Sequence, residues 1–398
     1  MTEKRQISDW SRLHHDVVFG KSNGKIIWQP RIGCWYSDKI FAGQPLQQPY
    51  TNMTISELYR SLGCSNRLYD FNSCFKRIED AAVRWSERSL NEMDTEITIE
   101  TPVGKQIIVN RRCLNNPGII HVKWPVESKK ELKAAIWLEE HVTWQWDQKR
   151  YDQLLHDLGD LGAPTMYMPR MNVQNLYICQ MGIEKGIFAI YDWPDTIGAY
   201  FRALHESHDR LIDVINASPI DIINFGENVH AGTLSPNLFR KYHLPECQHR
   251  CERLHAAGKF VCSHWDGDCG PLLPYAQETG LDGIEAITPE PQGDVMLEEV
   301  KKALGDKMFL LDGIPAIYFD KMFPVKTLAQ CVERIIELFA PKLVLGISDE
   351  ISSTGDIERI RIVGNIVEKY NAQSEKRSKK TKAGDGTIRV VELKGEHR

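Results

Sequence analysis

The sequence predicts an α/β chain, a (β/α)8 TIM barrel carrying an N-terminal α+β insertion. Three observations lead there. From about residue 160 onward, apolar β-like segments at 164–168, 187–191, 220–225, 259–263, 283–287, 308–312 and 343–347 alternate with stretches of helical character. A further β-like segment, 25–32, precedes them and brings the count to eight. Several of these runs end in a burst of polar residues, as strands do where a barrel's catalytic rim begins. The competing architecture, an open doubly wound sheet, lacks its usual mark, since no GxGxxG follows a strand.

Gln106–Asn110 (QIIVN) and Glu96–Thr101 (EITIET) flank Pro102-Val103-Gly104-Lys105 and predict a β-hairpin, with 119–126 as a further strand. This region, 40–150, breaks the βα rhythm and is expected to be an inserted lid over one end of the barrel. In Trp193–Ala217, residues Ile197, Tyr200, Phe201, Leu204, Leu211, Ile212 and Val214 recur at helical spacing. Ser235-Pro236 places an N-cap residue before proline at the first helical position, and Gly258 stops that helix one residue before the next strand. The barrel unit is expected over 1–370. Residues 371–398, rich in Lys, Ser and Gly, are expected to form a flexible charged tail.

Composition narrows the function. With 42% hydrophobic and 26% charged residues, the chain is ordinary for a globular enzyme. A formal charge of −5 gives no electrostatic case for nucleic acid or an anionic membrane. No apolar run approaches membrane-spanning length, and the first residues lack the apolar core of a secretion signal. Ten cysteines without a CxxC pair fit a reduced, cytoplasmic protein. Monomer or homodimer is left open.

The densest chemistry lies in FVCSHWDGDCG, residues 260–270, where an apolar strand runs into His264, Asp266, Asp268 and Cys269. Just upstream, Ile222–Phe225 leads into Gly226-Glu227-Asn228-Val229-His230. Asp268 and Asn228 suit helix caps, whereas His264 and Glu227 are not favoured there, which points them toward function. Glu285, Glu290, Asp312, Asp349 and Glu350 follow later strands; an Asp312-Gly313 pair also suits a plain turn. Tyr167, Met168, Tyr191 and Trp193 sit where an aromatic substrate would be walled, though aromatics are more often core.

The run from His264 through Pro315, with LSPNLFRKYHLPECQHRCERLHAAGK before it and LVLGISDEISSTGDIERIRIVGNIVEKY after it, resembles the uroporphyrinogen decarboxylase superfamily. The resemblance covers about 160–370 well and the N-terminal part loosely. It implies a (β/α)8 barrel with its pocket at the C-terminal rim. It also implies one of two chemistries, porphyrinogen decarboxylation or zinc-dependent methyl transfer involving corrinoids. Decarboxylases of this superfamily carry an Arg-rich N-terminal signature. The matching stretch here, Gln29–Tyr36, keeps only Arg31 and adds Trp35 and Tyr36, which suits a small or aromatic substrate better than an octa-anion.

On the methyltransferase side, thiol-activating members hold zinc by a His-x-Cys pair and a late Cys. Here Asp266 stands in place of the first Cys, and the late stretch Gly346-Ile347-Ser348-Asp349 has none, so harder N/O ligation is expected. Methoxy-aromatic demethylating members resemble the chain more, with ligands in the order Glu, Glu, His. Glu227, His243 and His264 match that order with 15 and 20 intervening residues, His243 replacing the middle Glu. Glu246, Asp266 and Cys269 are substitutes for it.

The resemblance thus implies a zinc-dependent methyltransferase passing a methyl group from a small methylated donor, such as a methoxy compound, to the Co(I) of a corrinoid (cobalamin) on a partner protein. Glu227, His264 and Asp266 would be catalytic, and Arg31, Trp35, Tyr36, Tyr167, Tyr191 and Asp312 would line the substrate. The alternatives are a decarboxylase of a porphyrinogen-like or small carboxylate substrate, and a non-catalytic barrel that binds a corrinoid or tetrapyrrole.

Overall fold

The computed structural model describes residues 9–384, with side chains through Arg377. Seven parallel strands form a curled sheet: β1 (Ile27–Trp28), β2 (Thr165–Met168), β3 (Ile222–Val229), β4 (Phe260–Trp265), β5 (Gly283–Glu285), β6 (Phe309–Pro315) and β7 (Leu343–Ser348). Their spatial order is β1-β7-β6-β5-β4-β3-β2, the succession of a barrel wall with helices between the strands. The strands are buried along most of their length and rich in Ile, Val, Leu and Phe, as parallel strands covered on both faces must be.

The place between β1 and β2 is taken by a short irregular segment after the helix Ile55–Leu62, which ends on left-handed Gly63. Ser65 donates its backbone N–H to Trp28 O at 3.0 Å, and Asn66 donates to Leu161 O at 2.9 Å. The first bond reaches the edge strand β1 and the second the loop that leads into the edge strand β2. Gly162 permits this approach, because a Cβ there would stand 2.2 Å from Asn66 O. The barrel is therefore closed by a segment too short and polar to read as a strand.

The eighth strand expected at 187–191 is not one. Those residues belong to the helix Ile183–Asp192, which buries Gly186, Ala189 and Ile190 at helical spacing. A five-residue apolar run carries no period of its own, and here the helical contacts decide. The expected helices over 193–217 and from 236 are present as Pro194–Asn216 and as Pro236–Leu238 continuing to Leu244–Ala256. Between the latter two lies a π-helical turn, Phe239–His243, just before Pro245, whose ring nitrogen has no N–H to give the preceding turn.

Within 40–150, the strands Arg84–Ser89, Asp94–Thr101, Gly104–Arg112 and Ile119–Lys123 form a four-stranded antiparallel sheet in chain order. A two-stranded ribbon, Phe75–Ile78 with Thr143–Trp146, lies beside it in the chain. From 371 the backbone stays helical as part of Glu358–Gly384, where a flexible tail was expected. Asn371 explains part of this order by exchanging two 2.9 Å hydrogen bonds with the Ile26 backbone. Residues 385–398 lie outside the described residues. No helix among the described residues is long and apolar enough to cross a membrane.

The helix Trp10–Val18 plugs the barrel floor, its Val17 and Val18 packing against Ile27, Ile222, Phe260, Cys262, Leu311 and Val344. Above them, the buried His14 ring accepts through Nδ1 from Gln29 Nε2 at 3.3 Å and from Ala163 N at 3.4 Å. Burial, reinforced by the nearby Arg67 charge, pushes its pKa down to about 3. The unfolded chain takes up this proton near pH ~6.5 and the folded chain does not, so stability is lost as pH falls below that value. His14→Gln keeps an acceptor without the charge. Between pH ~7.5 and ~5.0 the variant is expected to lose about 2 kcal/mol less stability than the parent. Urea unfolding at the two pH values measures this, and equal losses would rule it out.

Candidate active site at the barrel mouth

The C-terminal ends of the strands converge on a buried charged cluster. Strand alternation sets it up: Cys262 faces the barrel floor, so His264 two residues on faces the mouth, while Trp265 turns outward to Phe239 at 5.5 Å between ring centroids. His264 pairs in register with Glu285 on β5, and its Nδ1 lies 2.9 Å from Glu285 Oε2. Tyr167, from β2, donates its hydroxyl to the same carboxylate oxygen. Arg67, on the closing segment, binds Glu285 Oε1 through Nη1 and Asp312 Oδ1 through Nη2, the latter at 2.9 Å. Its Nε donates to Gln29 Oε1 at 2.7 Å.

Asp312 joins the cluster through backbone conformation. Its φ of 73° is uncommon for a residue bearing a side chain. Gly346 on β7 leaves the space, since a Cβ there would lie 2.0 Å from Asp312 Oδ1. Glu285 and Asp312 are fully buried and share one guanidinium. Burial pushes both carboxyls up, but Arg67 and His264 outweigh it at Glu285 and hold that group well below the usual carboxylate range. At Asp312 burial and the neighbouring Glu285 leave the pKa up at about 6. The cluster therefore holds a firmly ionised Glu285 beside a carboxyl poised to take a proton.

Arg31 lies at the outer edge of this cluster. Its Nη1 is 3.5 Å from His264 Nδ1, and its Nη2 is 3.7 Å from both Asp349 and Glu350. Its Nε is buried without a partner, and the guanidinium lies 5.5 Å from the Tyr69 ring centre. A mostly buried cation whose contacts are all this long has capacity for another partner.

Glu227 is positioned by a bulge. Ser263 pairs with Phe225 but Trp265 with Val229, so Gly226, Glu227 and Asn228 together stand opposite His264. Glu227 Oε1 accepts from Met171 N at 2.8 Å, while Oε2 is buried with no partner. Burial pushes this carboxyl up to about 7. Asp266 Oδ1 is likewise buried and unpartnered.

The sequence-derived ligand trio is not gathered. His243 packs on Phe239 at 5.0 Å, the ring that also covers the outward-facing Trp265, so it stands behind β4 while His264 faces the mouth. Among the described residues, neither Glu227–His243–His264 nor a set with Asp266 brings its donor atoms within 4.8 Å of one another. The substitutes fare differently. Glu246 is tied to His205 and Arg250, and Cys269 directs a neutral thiol at the Val229 and Asp266 carbonyls, its pKa raised by burial. Donor chemistry for a divalent metal is thus present at Glu227, Asp266 and His264, whose Nδ1 is held by Glu285 as ligating imidazoles commonly are. A closed ligand set is not.

The substrate-lining expectations divide similarly. Arg31, Tyr167 and Asp312 belong to the cluster. Tyr191 is 69% exposed on the helix Ile183–Asp192 and faces away from it, a consequence of the misread strand. Tyr36 donates to Met53 O at 3.1 Å within the packing beside the core. Trp35 is buried, donating to Gly355 O at 3.1 Å, and borders a surface cleft of about 660 Å3 with Lys39, Leu114, Asn115, Lys321 and Asp356. That cleft lies at the rim, and none of the buried charged residues lines it. Arg67 and Tyr69 were not anticipated from sequence; the one available signal was an arginine and a tyrosine just after a helix-stopping glycine.

No family model matches the chain, and no curated protein matches it. Among solved structures, it resembles a methyltransferase from Methanosarcina mazei with a TM-score of 0.55 at 12% identity, covering 92% of this chain and 99% of that one. The fold is shared. A B12-independent methionine synthase from Shewanella sp. W3-18-1 matches at a TM-score of 0.40 and 11% identity, over 80% of this chain and 86% of that one.

Proposed function

We propose that the chain is a methyltransferase of the uroporphyrinogen decarboxylase superfamily that moves a methyl group from a small donor, a methoxy compound, to the Co(I) corrinoid of a partner protein. The observation that carries this reading is His264, held through Nδ1 by buried Glu285 and standing opposite Glu227, whose second carboxylate oxygen has no partner. His264, Glu227 and Asp266 are the residues that would hold zinc. When bound, such an ion polarises the oxygen from which the methyl group departs.

The chain's own residues supply the remainder. Glu285 fixes the imidazole, Tyr167 holds Glu285, and Arg67 prevents the two buried carboxylates from repelling each other. Arg31 offers the guanidinium with the longest contacts to an anionic or electron-rich part of the donor. Porphyrinogen decarboxylation is disfavoured, because of the two arginines in the cluster Arg67 is already neutralised from within, leaving Arg31 alone for many carboxylates.

With a reduced corrinoid acceptor and a panel of methoxy-aromatics and methylamines, the visible spectrum is expected to change from Co(I) to methyl-Co(III), and His264→Ala to abolish the change. Silence with every donor, together with release of CO2 from a porphyrinogen, would replace this reading by decarboxylation.

A further inference from the structure

On the outer wall, two consecutive barrel helices present matched side chains to each other. The helix Pro194–Asn216 offers His205 and Asp209, one turn apart; the helix Leu244–Ala256 offers Glu246 and His249, also on one face. His205 Nδ1 lies 2.7 Å from Glu246 Oε2, and His249 Nε2 lies 2.8 Å from Asp209 Oδ1. The two imidazole rings are 4.5 Å apart between centroids. Donor atoms of His205, Asp209 and His249 all fall within 4.8 Å of one another, the one such group of three or more His, Cys, Asp or Glu among the described residues.

We propose that this cluster is a second metal site, separate from the barrel mouth, which takes a borderline divalent transition ion such as Zn2+, Co2+ or Ni2+. Two imidazoles select against Mg2+ and Ca2+, which prefer all-oxygen sites, and the absence of thiolate selects against the softest ions. A tetrahedral ion with bonds of about 2.0–2.2 Å needs its donors about 3.4 Å apart, within reach of side-chain rotation alone. All four side chains are between 12% and 35% exposed, so the site is accessible from solvent yet walled by its helices. Glu246 stands outside the trio and holds His205 through Nδ1, which leaves Nε2 on the Asp209 side for the ion and a fourth position for solvent.

The surroundings hold the donors in place. Arg250, 1% exposed, fixes Glu246 Oε1 at 2.9 Å and leaves Oε2 for the cluster. Arg253 lies 2.8 Å from Asp209 Oδ1, the oxygen that His249 also contacts, which leaves Asp209 Oδ2 directed at His205, 3.7 Å from its Nε2. Arg250 also contacts Pro169 O and His208 on the inner side. An ion here would clasp the two helices that flank β3, the strand carrying Glu227.

The test uses the full chain after dialysis against EDTA, titrated calorimetrically with ZnCl2 and followed in parallel by the visible absorption of CoCl2. His249→Ala and His205→Ala are each expected to weaken one Zn2+ site by at least ~10-fold and to remove its share of the Co2+ absorption, while His264→Ala retains that site. Both histidines are partly exposed, and far-ultraviolet circular dichroism checks that each variant is folded. The proposal is overturned if the parent binds neither ion at micromolar concentration, or if both folded variants titrate like the parent. Because the readout is metal binding by outer-wall variants, failure here leaves the mouth chemistry standing, and failure of methyl transfer leaves this site standing.

Discussion

Arg67→Ala is expected to destabilise the protein by about 3–5 kcal/mol, the usual cost of removing one partner from a buried ion cluster. Among the described residues, Arg67 is the cation that binds both Glu285 and Asp312, each fully buried, and its loss leaves two carboxylates facing each other. They will respond by taking up protons. Asp312 already lies up at about 6 with Arg67 present, pushed there by burial. Without Arg67 both folded-state pKa values rise above their unfolded ones, so the folded variant binds more protons and its stability falls as pH rises. The deficit should accordingly be larger at pH ~8 than at pH ~5.5, and adding Glu285→Gln with Asp312→Asn should recover part of it. Urea unfolding of the variants at both pH values decides the matter; a deficit under about 1 kcal/mol, or one independent of pH, would mean that the carboxylates do not depend on Arg67.

Why Arg67 escaped the sequence reading is itself physical. The segments around β3, β4, β6 and β7 were legible because a buried parallel strand must be almost continuously apolar and ends where polar side chains can reach the mouth. The gap in the barrel wall is bridged by one backbone hydrogen bond from Ser65 to β1 and one from Asn66 to the loop before β2, and such a segment leaves no hydrophobic trace. The misplaced strand at 187–191 shows the opposite failure, an apolar run whose burial pattern is helical. At the site, His264 and Asp312 could be noticed as polar residues at strand ends, but Asp312-Gly313 reads equally well as a turn. Its positive φ and the space left by Gly346 are tertiary facts. His243 had suitable spacing and stands on the other side of β4, because sequence distance carries no information about which face of the wall a helix residue meets.

Glu285→Gln is the complementary experiment, and it should divide stability from activity. The amide still fills the site and still accepts from Tyr167, but it removes the anion that orients His264 through the 2.9 Å contact to Nδ1. Stability should fall by only about 1.5–3 kcal/mol, the range for hydrogen bonds to a charged group. Compensation comes from Asp312: Glu285 is one of the causes raising its pKa, so neutralising Glu285 lets Asp312 ionise and pair with Arg67 alone. His264 has no such substitute. Loss of a group that orients a ligating imidazole typically costs about 10–100-fold in metal affinity or activity, and a drop of that size is expected in the rate of corrinoid methylation. Glu285→Asp, which keeps the charge but shortens the reach, should preserve stability better than it preserves rate. If Glu285→Gln methylated corrinoid at the parent's rate while folding normally, His264 would not be working through this carboxylate, and the catalytic assignment at the barrel mouth would have to move to Glu227 and Asp266.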